Sequence, residues 1–213
     1  MRTTTSLFAL ALTLAPALAP AADTPATPLF DGKSLAGWSP VGGKADNWTA
    51  QDGLLVTKGD GGGWLSTEKT YSDFALKLEF RTGPGGNSGV FIRSPRTGDP
   101  AYTGMEIQVL DDDAAMYKDL KPFQYCGSVY GVIPAKRGSL KPAGEWNAME
   151  ITAKGTRITV KLNGQTVVDG DLADHSDAEK THPGILRKEG YIGLQSHSDR
   201  VEFRNIEVTD LAH

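Results

Sequence analysis

The part of the chain that most constrains its fold is the run of residues 74–81, Phe-Ala-Leu-Lys-Leu-Glu-Phe-Arg. Its even-numbered positions are all Phe or Leu, and most of its odd-numbered positions are charged. Successive side chains of a β-strand point to opposite faces, so this alternation predicts a strand with one packed face and one open face. Such a strand belongs to a sheet that covers a core on one side.

Two more alternating runs, residues 87–93 and 104–111, follow after short Gly- and Pro-containing segments. Their apolar positions would pack inward, and their open faces would carry Arg93, Glu106 and Gln108. We expect these polar groups to face a cleft or water and not the core.

The rest of the chain contains short strand-like runs separated by turn signals. Asp52-Gly53 and Asn163-Gly164 each lie between two such runs, and these dipeptides are typical of tight hairpin turns. Further strands are predicted at residues 127–134, 146–152, 190–197 and 201–208, and one short helix within 111–122. Because no long amphipathic helix and no internal repeat is visible, the pattern predicts an all-β fold of two packed antiparallel sheets.

Length and composition narrow the class of protein. A chain of 213 residues suits one domain, which we place at residues 29–210. The net charge is −4 and no basic run is present, so nucleic acid is not an expected partner. The single Cys126 can form no intramolecular disulfide, and we expect it to be a small buried residue. The sequence leaves the oligomeric state open.

The first 21 residues have the pattern of an export signal. Arg2 supplies a positive charge, residues 7–14 are apolar, and residues 17–22 are rich in the small residues found at cleavage sites. We expect cleavage near Ala22, a linker over residues 22–28, and a periplasmic or secreted product. The apolar run is shorter than the roughly 20 residues that cross a bilayer, so no membrane span is expected.

The polar residues of the alternating strands are the candidates for chemistry. Glu106 and Gln108 are two apart and would share a face, as would Gln195 and His197 in the strand at 190–197. Most of them also have a purely structural interpretation: Arg93 and Glu106 could form a cross-strand ion pair, and His197 could be a solvated residue. The acidic residues 111–113 favour a solvated turn, with calcium binding as the alternative.

Eight segments of the chain together resemble the 3-keto-disaccharide hydrolase family in sequence and order. They are residues 29–38, 71–74, 87–93, 104–111, 144–147, 162–164, 190–195 and 203–206. The resemblance covers nearly all of the chain after the export signal. It implies a concanavalin-like jelly roll and action on glycosides that already carry a ketone at C3. It also leaves open a carbohydrate-binding module without catalytic activity.

The run Glu106-Ile-Gln-Val-Leu110 is also similar to the Glu-x-Asp-x-Glu strand of retaining β-glucanases. Here Gln108 and Leu110 replace the other two acids, so the second carboxylate of a two-carboxylate mechanism is missing. A β-bulge that turned Asp111 onto the face of Glu106 could restore it.

A 3-keto sugar needs only one base, because the ketone acidifies the hydrogen on C2. We therefore expect Glu106 or His197 to remove this proton, and Arg93 or a divalent cation to stabilise the enolate. The substrate would contact Gln108, Tyr130, Gln195 and Asp111. A metal held in part by Glu106 and His197 is a further hypothesis, although two ligands are few for a metal site.

Overall fold

Two antiparallel β-sheets pack face to face in the computed structural model, which describes residues 25–59 and 62–212. In spatial order, the larger sheet contains β11 (Gln165–Asp171), β10 (Arg157–Leu162), β9 (Asn147–Lys154), β6 (Phe74–Thr82), β13 (Val201–Asp210), β4 (Leu54–Thr57) and β3 (Trp48–Gln51), with β1 (Thr27–Pro28) paired to β13. The smaller sheet contains β2 (Trp38–Val41), β5 (Trp64–Tyr71), β12 (Gly190–Gln195), β7 (Asn87–Ser94) and β8 (Met105–Leu110). The predicted all-β sandwich is confirmed.

The helical elements of the described chain are short. One α-helix, α1 (Pro100–Thr103), lies between β7 and β8. Four 3₁₀ segments cover Ala45–Asn47, Ala115–Tyr117, Pro122–Gln124 and Leu172–Lys180. No helix among the residues that the structure describes is long and apolar enough to cross a membrane.

The core lies between the two sheets. Strand β6 buries all four of its Phe and Leu side chains, Phe74, Leu76, Leu78 and Phe80, as its alternation predicted. The smaller sheet contributes Val90, Ile92, Ile107 and Val109 to the same cluster. Burial of one such side chain stabilises the fold by about 1.5–3 kcal/mol. Cys126 is also buried, and the apolar surroundings raise the pKa of its thiol, which makes it a poor nucleophile.

The two predicted hairpin turns are present. Asp52-Gly53 joins β3 to β4, and Asn163-Gly164 joins β10 to β11. All four residues have positive φ, between 50° and 82°, the backbone geometry that a two-residue hairpin turn requires.

Residues 127–134 do not form the predicted strand. They make only isolated bridges, in which Val129 pairs with Ile107 and with Ile133. Glycines with φ of +84° and +74° at 127 and 131 interrupt the extended backbone. The segment nevertheless lies along the outer edge of β8, where Tyr130 N–H donates to the Glu106 carbonyl at 2.9 Å.

The start of the domain also lies earlier than the expected boundary at residue 29. Thr27 and Pro28 belong to the predicted linker, yet they pair with Val208 and Glu207 of β13. The predicted export signal and its cleavage position near Ala22 lie outside the described residues.

Candidate functional site

The open face of the smaller sheet carries three of the predicted site residues, Glu106, Gln108 and Gln195. In the β7–β8 pair, Gly89 lies opposite Gln108 and Phe91 lies opposite Glu106, while their neighbours along each strand point into the core. Strand β12 continues the surface, because Gly193 pairs with Phe91, and Gln195 pairs with Trp64 of β5. Glu106, Gln108 and Gln195 therefore share one face, as predicted.

Glu106 is buried on this face without a partner. Its side chain leans over Gly89, where a Cβ atom would overlap the carboxylate Oε1, so a side chain at position 89 would displace it. In the part of the chain that the structure describes, its carboxylate forms no hydrogen bond and no ion pair. Burial is the main cause that raises its pKa to about 8, and the nearby negative charge of Asp99 raises it further.

A cavity of about 410 Å³, which we call the Trp64 cavity, lies beside Glu106, because its lining includes Phe91, which pairs with Glu106, and Asp99, whose charge acts on Glu106. Its lining includes Trp64, Phe91, Asp99, Gln195 and His197. The rings of Trp64 and Phe91 meet edge to face at 5.6 Å and form an apolar wall. The side-chain oxygen of Gln195 is buried there with no partner among the described residues, which leaves it free to accept a hydrogen bond from a ligand.

Asp99 is a site residue that the sequence analysis missed. It caps α1 by accepting a hydrogen bond from Ala101 N–H at 3.1 Å, and Pro100 occupies the first turn of the helix. Asp followed by Pro is a recognised helix-start pattern, but nothing in the sequence indicates that this helix begins beside Glu106.

Tyr130 and Tyr102 lie on the other side of Glu106. Their rings meet edge to face at 6.5 Å, and the Tyr130 hydroxyl accepts a hydrogen bond from Gln124 Nε2 at 3.2 Å. Burial and the neighbouring Tyr130 raise the pKa of Tyr102, so its hydroxyl is protonated at neutral pH. Gln108 is buried nearby, and its side-chain oxygen accepts from Val109 N–H.

His197 lies at the rim of the Trp64 cavity and is exposed. Its Nδ1 shares a hydrogen bond of 3.0 Å with the Ser198 hydroxyl, and that hydroxyl is 3.0 Å from the Asp199 carboxylate. The imidazole is thus oriented by its neighbours but open to solvent. His197 therefore lies in the lining of the Trp64 cavity, whereas Glu106 is buried beside it.

The prediction that Arg93 faces this site is wrong. Arg93 is the extra residue of a β-bulge between β7 and β12 and has a φ of +48°, which breaks the alternation of β7. Its buried guanidinium donates to the carbonyls of Ser72 and Gly155, both at 2.7 Å, and pairs with Asp73 at 3.0 Å. Arg93 therefore ties β7 to the β5–β6 connection between the sheets and to the β9–β10 turn of the larger sheet, and it forms no hydrogen bond or ion pair with Glu106.

Asp111 also has a structural role and does not make the predicted contact with substrate. Its carboxylate accepts a hydrogen bond from Gly85 N–H at 2.8 Å and holds the turn between β6 and β7. The β7–β8 register is regular from Ile92 to Asn87, so no bulge brings Asp111 onto the face of Glu106. The glucanase-like pairing of these two carboxylates is ruled out by this geometry.

No group of three or more His, Cys, Asp or Glu side chains is arranged to hold a metal ion within residues 25–59 and 62–212. Glu106 and His197 would need further ligands from substrate or water. The metal hypothesis stays a prediction.

Comparison with known proteins agrees with this arrangement. A 3-keto-α-glucoside-1,2-lyase-like domain matches residues 25–209. A protein of Bacteroides thetaiotaomicron named 3-keto-disaccharide hydrolase is 30% identical over 84% of this chain and 76% of its own length.

Solved structures show the same fold. Two candidate glycosyl hydrolases of Parabacteroides distasonis superpose with TM-scores of 0.78 and 0.71 at 27% and 32% identity; the first alignment covers 88% of this chain and 94% of the other, and the second 82% and 99%. A carbohydrate-binding module of Bacillus subtilis, at 17% identity, a TM-score of 0.57 and coverage of 82% and 96%, shares the fold alone. With its matched domain spanning almost every described residue, the chain belongs to the 3-keto-α-glucoside-1,2-lyase-like family.

Proposed function

We propose that the protein cleaves 3-keto-glycosides by removing the proton from C2, with Glu106 as the base. The family and the glycosyl hydrolase neighbours support a carbohydrate-cleaving enzyme. The observation that carries the mechanism is the buried, unpartnered Glu106 carboxyl, with a pKa of about 8, next to residues that line the Trp64 cavity. A carboxylate of such raised basicity is well matched to a weakly acidic C–H bond beside a ketone.

The chemistry balances without an oxidant. Glu106 takes the C2 proton, and the electron pair of that bond delocalises into the C3 ketone as an enolate. The enolate then reforms the ketone, C1 and C2 become doubly bonded, and the C1–O bond to the aglycone breaks. The aglycone oxygen takes a proton and leaves as an alcohol. Water added across C1 and C2 gives the free 3-keto sugar, so the net reaction is hydrolysis.

The neighbours of Glu106 have clear roles in this proposal. Trp64 and Phe91 offer an apolar wall to one face of the sugar ring, while the amides of Gln108 and Gln195 hydrogen bond to its hydroxyls. Because the Arg93 guanidinium is bonded to Ser72, Gly155 and Asp73, the enolate oxygen must be stabilised by other groups. These are hydrogen-bond donors such as Gln108, or a bound cation. His197 exchanges protons with the leaving aglycone at the rim.

Asp99 supports a second candidate, ordinary two-carboxylate hydrolysis, because its charge acts directly on Glu106. The two functions differ in substrate. A two-carboxylate glycosidase would cleave the unoxidised disaccharide, whereas C2 proton removal requires the 3-ketone.

The test is aglycone release by the purified protein from a 3-keto disaccharide and from the same disaccharide without the ketone. We expect release only from the keto substrate, and a loss of about 10²–10⁴-fold in kcat for E106Q, the range that general base catalysis contributes. The matched control is E68Q, at an exposed glutamate of β5. Release from the unoxidised sugar would favour the second candidate, and an E106Q variant that only binds more weakly would indicate a binding module.

We also propose export from the cytoplasm, supported by the basic, apolar and small-residue order of residues 1–22. Mass spectrometry of the mature protein should give an N-terminus near Ala22. An intact Met1 on the exported protein would contradict this.

A further inference from the structure

A second cavity, of about 340 Å³, lies beyond the Tyr102–Tyr130 pair. We call it the His182 cavity; its lining includes Tyr102, Phe123, Gln124, Tyr130 and His182. Its volume is at the lower end of the roughly 300–1,000 Å³ that is common for small-molecule sites. Nothing in the steps proposed above uses it.

The His182 cavity adjoins the reactive carboxyl. Tyr130 is bonded to Glu106 through the backbone, and the charge of Glu106 acts on Tyr102. On the opposite flank, Phe91 pairs with Glu106 and lines the Trp64 cavity. Residues next to Glu106 therefore line both cavities, Phe91 on one side and Tyr102 and Tyr130 on the other. A two-ring substrate cleaved at the junction of its rings would need such an arrangement.

His182 indicates that the second cavity binds a polar ligand. His182 is only 7% exposed, and its Nδ1 forms a hydrogen bond of 3.0 Å with the Thr181 hydroxyl. Its Nε2 is buried with no partner in the described chain. A buried nitrogen without a hydrogen-bond partner is unfavourable, and a hydrogen bond with a ligand hydroxyl would offset this cost.

The backbone leaves room for this nitrogen. Gly131 has a φ of +74°, and a Cβ atom at this position would overlap His182 Nε2. Any larger residue at position 131 would therefore both strain the backbone and cover the nitrogen.

The walls of the His182 cavity are aromatic. The Tyr102 and His182 rings lie 4.8 Å apart with an interplanar angle of 34°, and Tyr130 meets Tyr102 edge to face. Burial lowers the pKa of His182, so the imidazole is neutral at pH 7. Aromatic walls with a few uncharged polar groups fit a pyranose, which has apolar C–H faces and hydroxyls at its edge.

We propose that the His182 cavity is the subsite for the aglycone sugar, with His182 Nε2 and the Tyr130 hydroxyl hydrogen bonded to its hydroxyls. This inference rests on the proposed function for its place in the reaction. The binding of a neutral hexose at His182 can be tested without it.

The kinetic test compares two substrates that share the reacting ring. One is a 3-keto disaccharide with glucose as aglycone, and the other is methyl 3-keto-glucoside, whose methyl group cannot fill the cavity. For H182A, we expect kcat/KM to fall about tenfold more with the disaccharide than with the methyl glycoside, as one lost hydrogen bond would produce. Y130F should show a smaller difference in the same direction. The matched control is H175A, at a histidine outside this cavity. Circular dichroism would verify folding.

A binding test separates this inference from the proposed function. Glucose alone is titrated into the protein, and the His182 ring signal, assigned by its loss in H182A, is followed by NMR. We expect a saturable shift in wild-type protein and in H175A. If neither keto substrate is cleaved but glucose still shifts His182, the proposed function fails and the subsite stands. Equal kinetic losses on both substrates, or a His182 signal that glucose leaves unmoved, would overturn the subsite.

Discussion

At the scale of single residues, Glu106 is the clearest case of a buried polar group that lowers the stability of the fold. Its neighbours supply neither a cation nor a hydrogen bond in the described structure, and Gly89 leaves the space that its carboxylate occupies. Removing a carboxylate from water without compensation is unfavourable, and such groups concentrate at functional sites. The raised pKa of Glu106 therefore has a consequence for folding that can be measured apart from catalysis.

We predict that E106Q is more stable than the wild type at pH 8 and not at pH 4.5. The unfolded carboxyl loses its proton above about pH 4.5, whereas the folded one keeps it up to about pH 8. The folded state therefore holds more protons in this window, and wild-type stability falls as the pH rises through it. A shift from 4.5 to about 8 corresponds to about 3–5 kcal/mol.

Chemical denaturation of both proteins across this pH range would measure the difference in the free energy of unfolding. The gap should grow steadily from pH 4.5 to pH 8 and stay level above it. The exposed-site variant E68Q should follow the wild type at every pH. A gap that is constant with pH would show that Glu106 is not perturbed by burial.

At the scale of elements, the bulge in β7 decides which residues reach the site. Alternation correctly places Phe91 with Glu106 on the open face. The bulge, with Arg93 as its extra residue, turns the Arg93 side chain away from that face. Its hydrogen bonds to Ser72 and Gly155 join β7 to the connection between β5 and β6 and to the β9–β10 turn of the larger sheet. The buried Arg93 therefore holds the two sheets of the sandwich together.

We predict that R93M lowers the free energy of unfolding by about 2–4 kcal/mol, because Asp73 and two backbone carbonyls lose a charged donor. The matched control is R157M, which breaks the exposed pair of Arg157 and Asp169 and should cost at most about 1 kcal/mol. Urea unfolding measures both. An R93M variant that keeps the stability of the wild type but loses catalysis would indicate that Arg93 acts in the site.

The sequence predicts the regular elements well and the irregular ones poorly. The alternation over residues 74–81 and the Asn163-Gly164 turn are local signals, and both are confirmed. The bulge at Arg93 has no local signal, because a non-glycine residue at positive φ is held there by tertiary contacts. The segment at 127–134 has strand-like composition, but its glycines adopt turn geometry.

At the scale of the whole molecule, the site combines predictable and unpredictable parts. Glu106, Gln108 and Gln195 follow from the face that each strand presents. Asp99 is the N-cap of a short helix, and His182 follows the 3₁₀ segment that ends at Lys180. Only the packing of the complete fold brings them near β8. Side chains on such connections have no periodicity that sequence analysis could use.

The arrangement of potential metal ligands in the described residues bears on the metal hypothesis. No three-ligand cluster is found in the described part, so a cation held in part by Glu106 and His197 would take its other ligands from substrate or water. We predict that dialysis against a chelator removes any bound cation readily. If the cation stabilises the enolate, aglycone release should stop and return on addition of Mn²⁺ or Mg²⁺; unchanged activity in metal-free protein would exclude this role.

The most direct test of the mechanism is the fate of the hydrogen on C2. A 3-keto disaccharide labelled with deuterium at C2 is incubated with the protein, and both products are analysed by mass spectrometry at early times, against an enzyme-free control for exchange. Proton removal by Glu106 predicts aglycone release together with loss of the deuterium to water, and neither event with E106Q. Released 3-keto sugar that keeps its deuterium would contradict the mechanism, and no release by the folded protein would contradict the function.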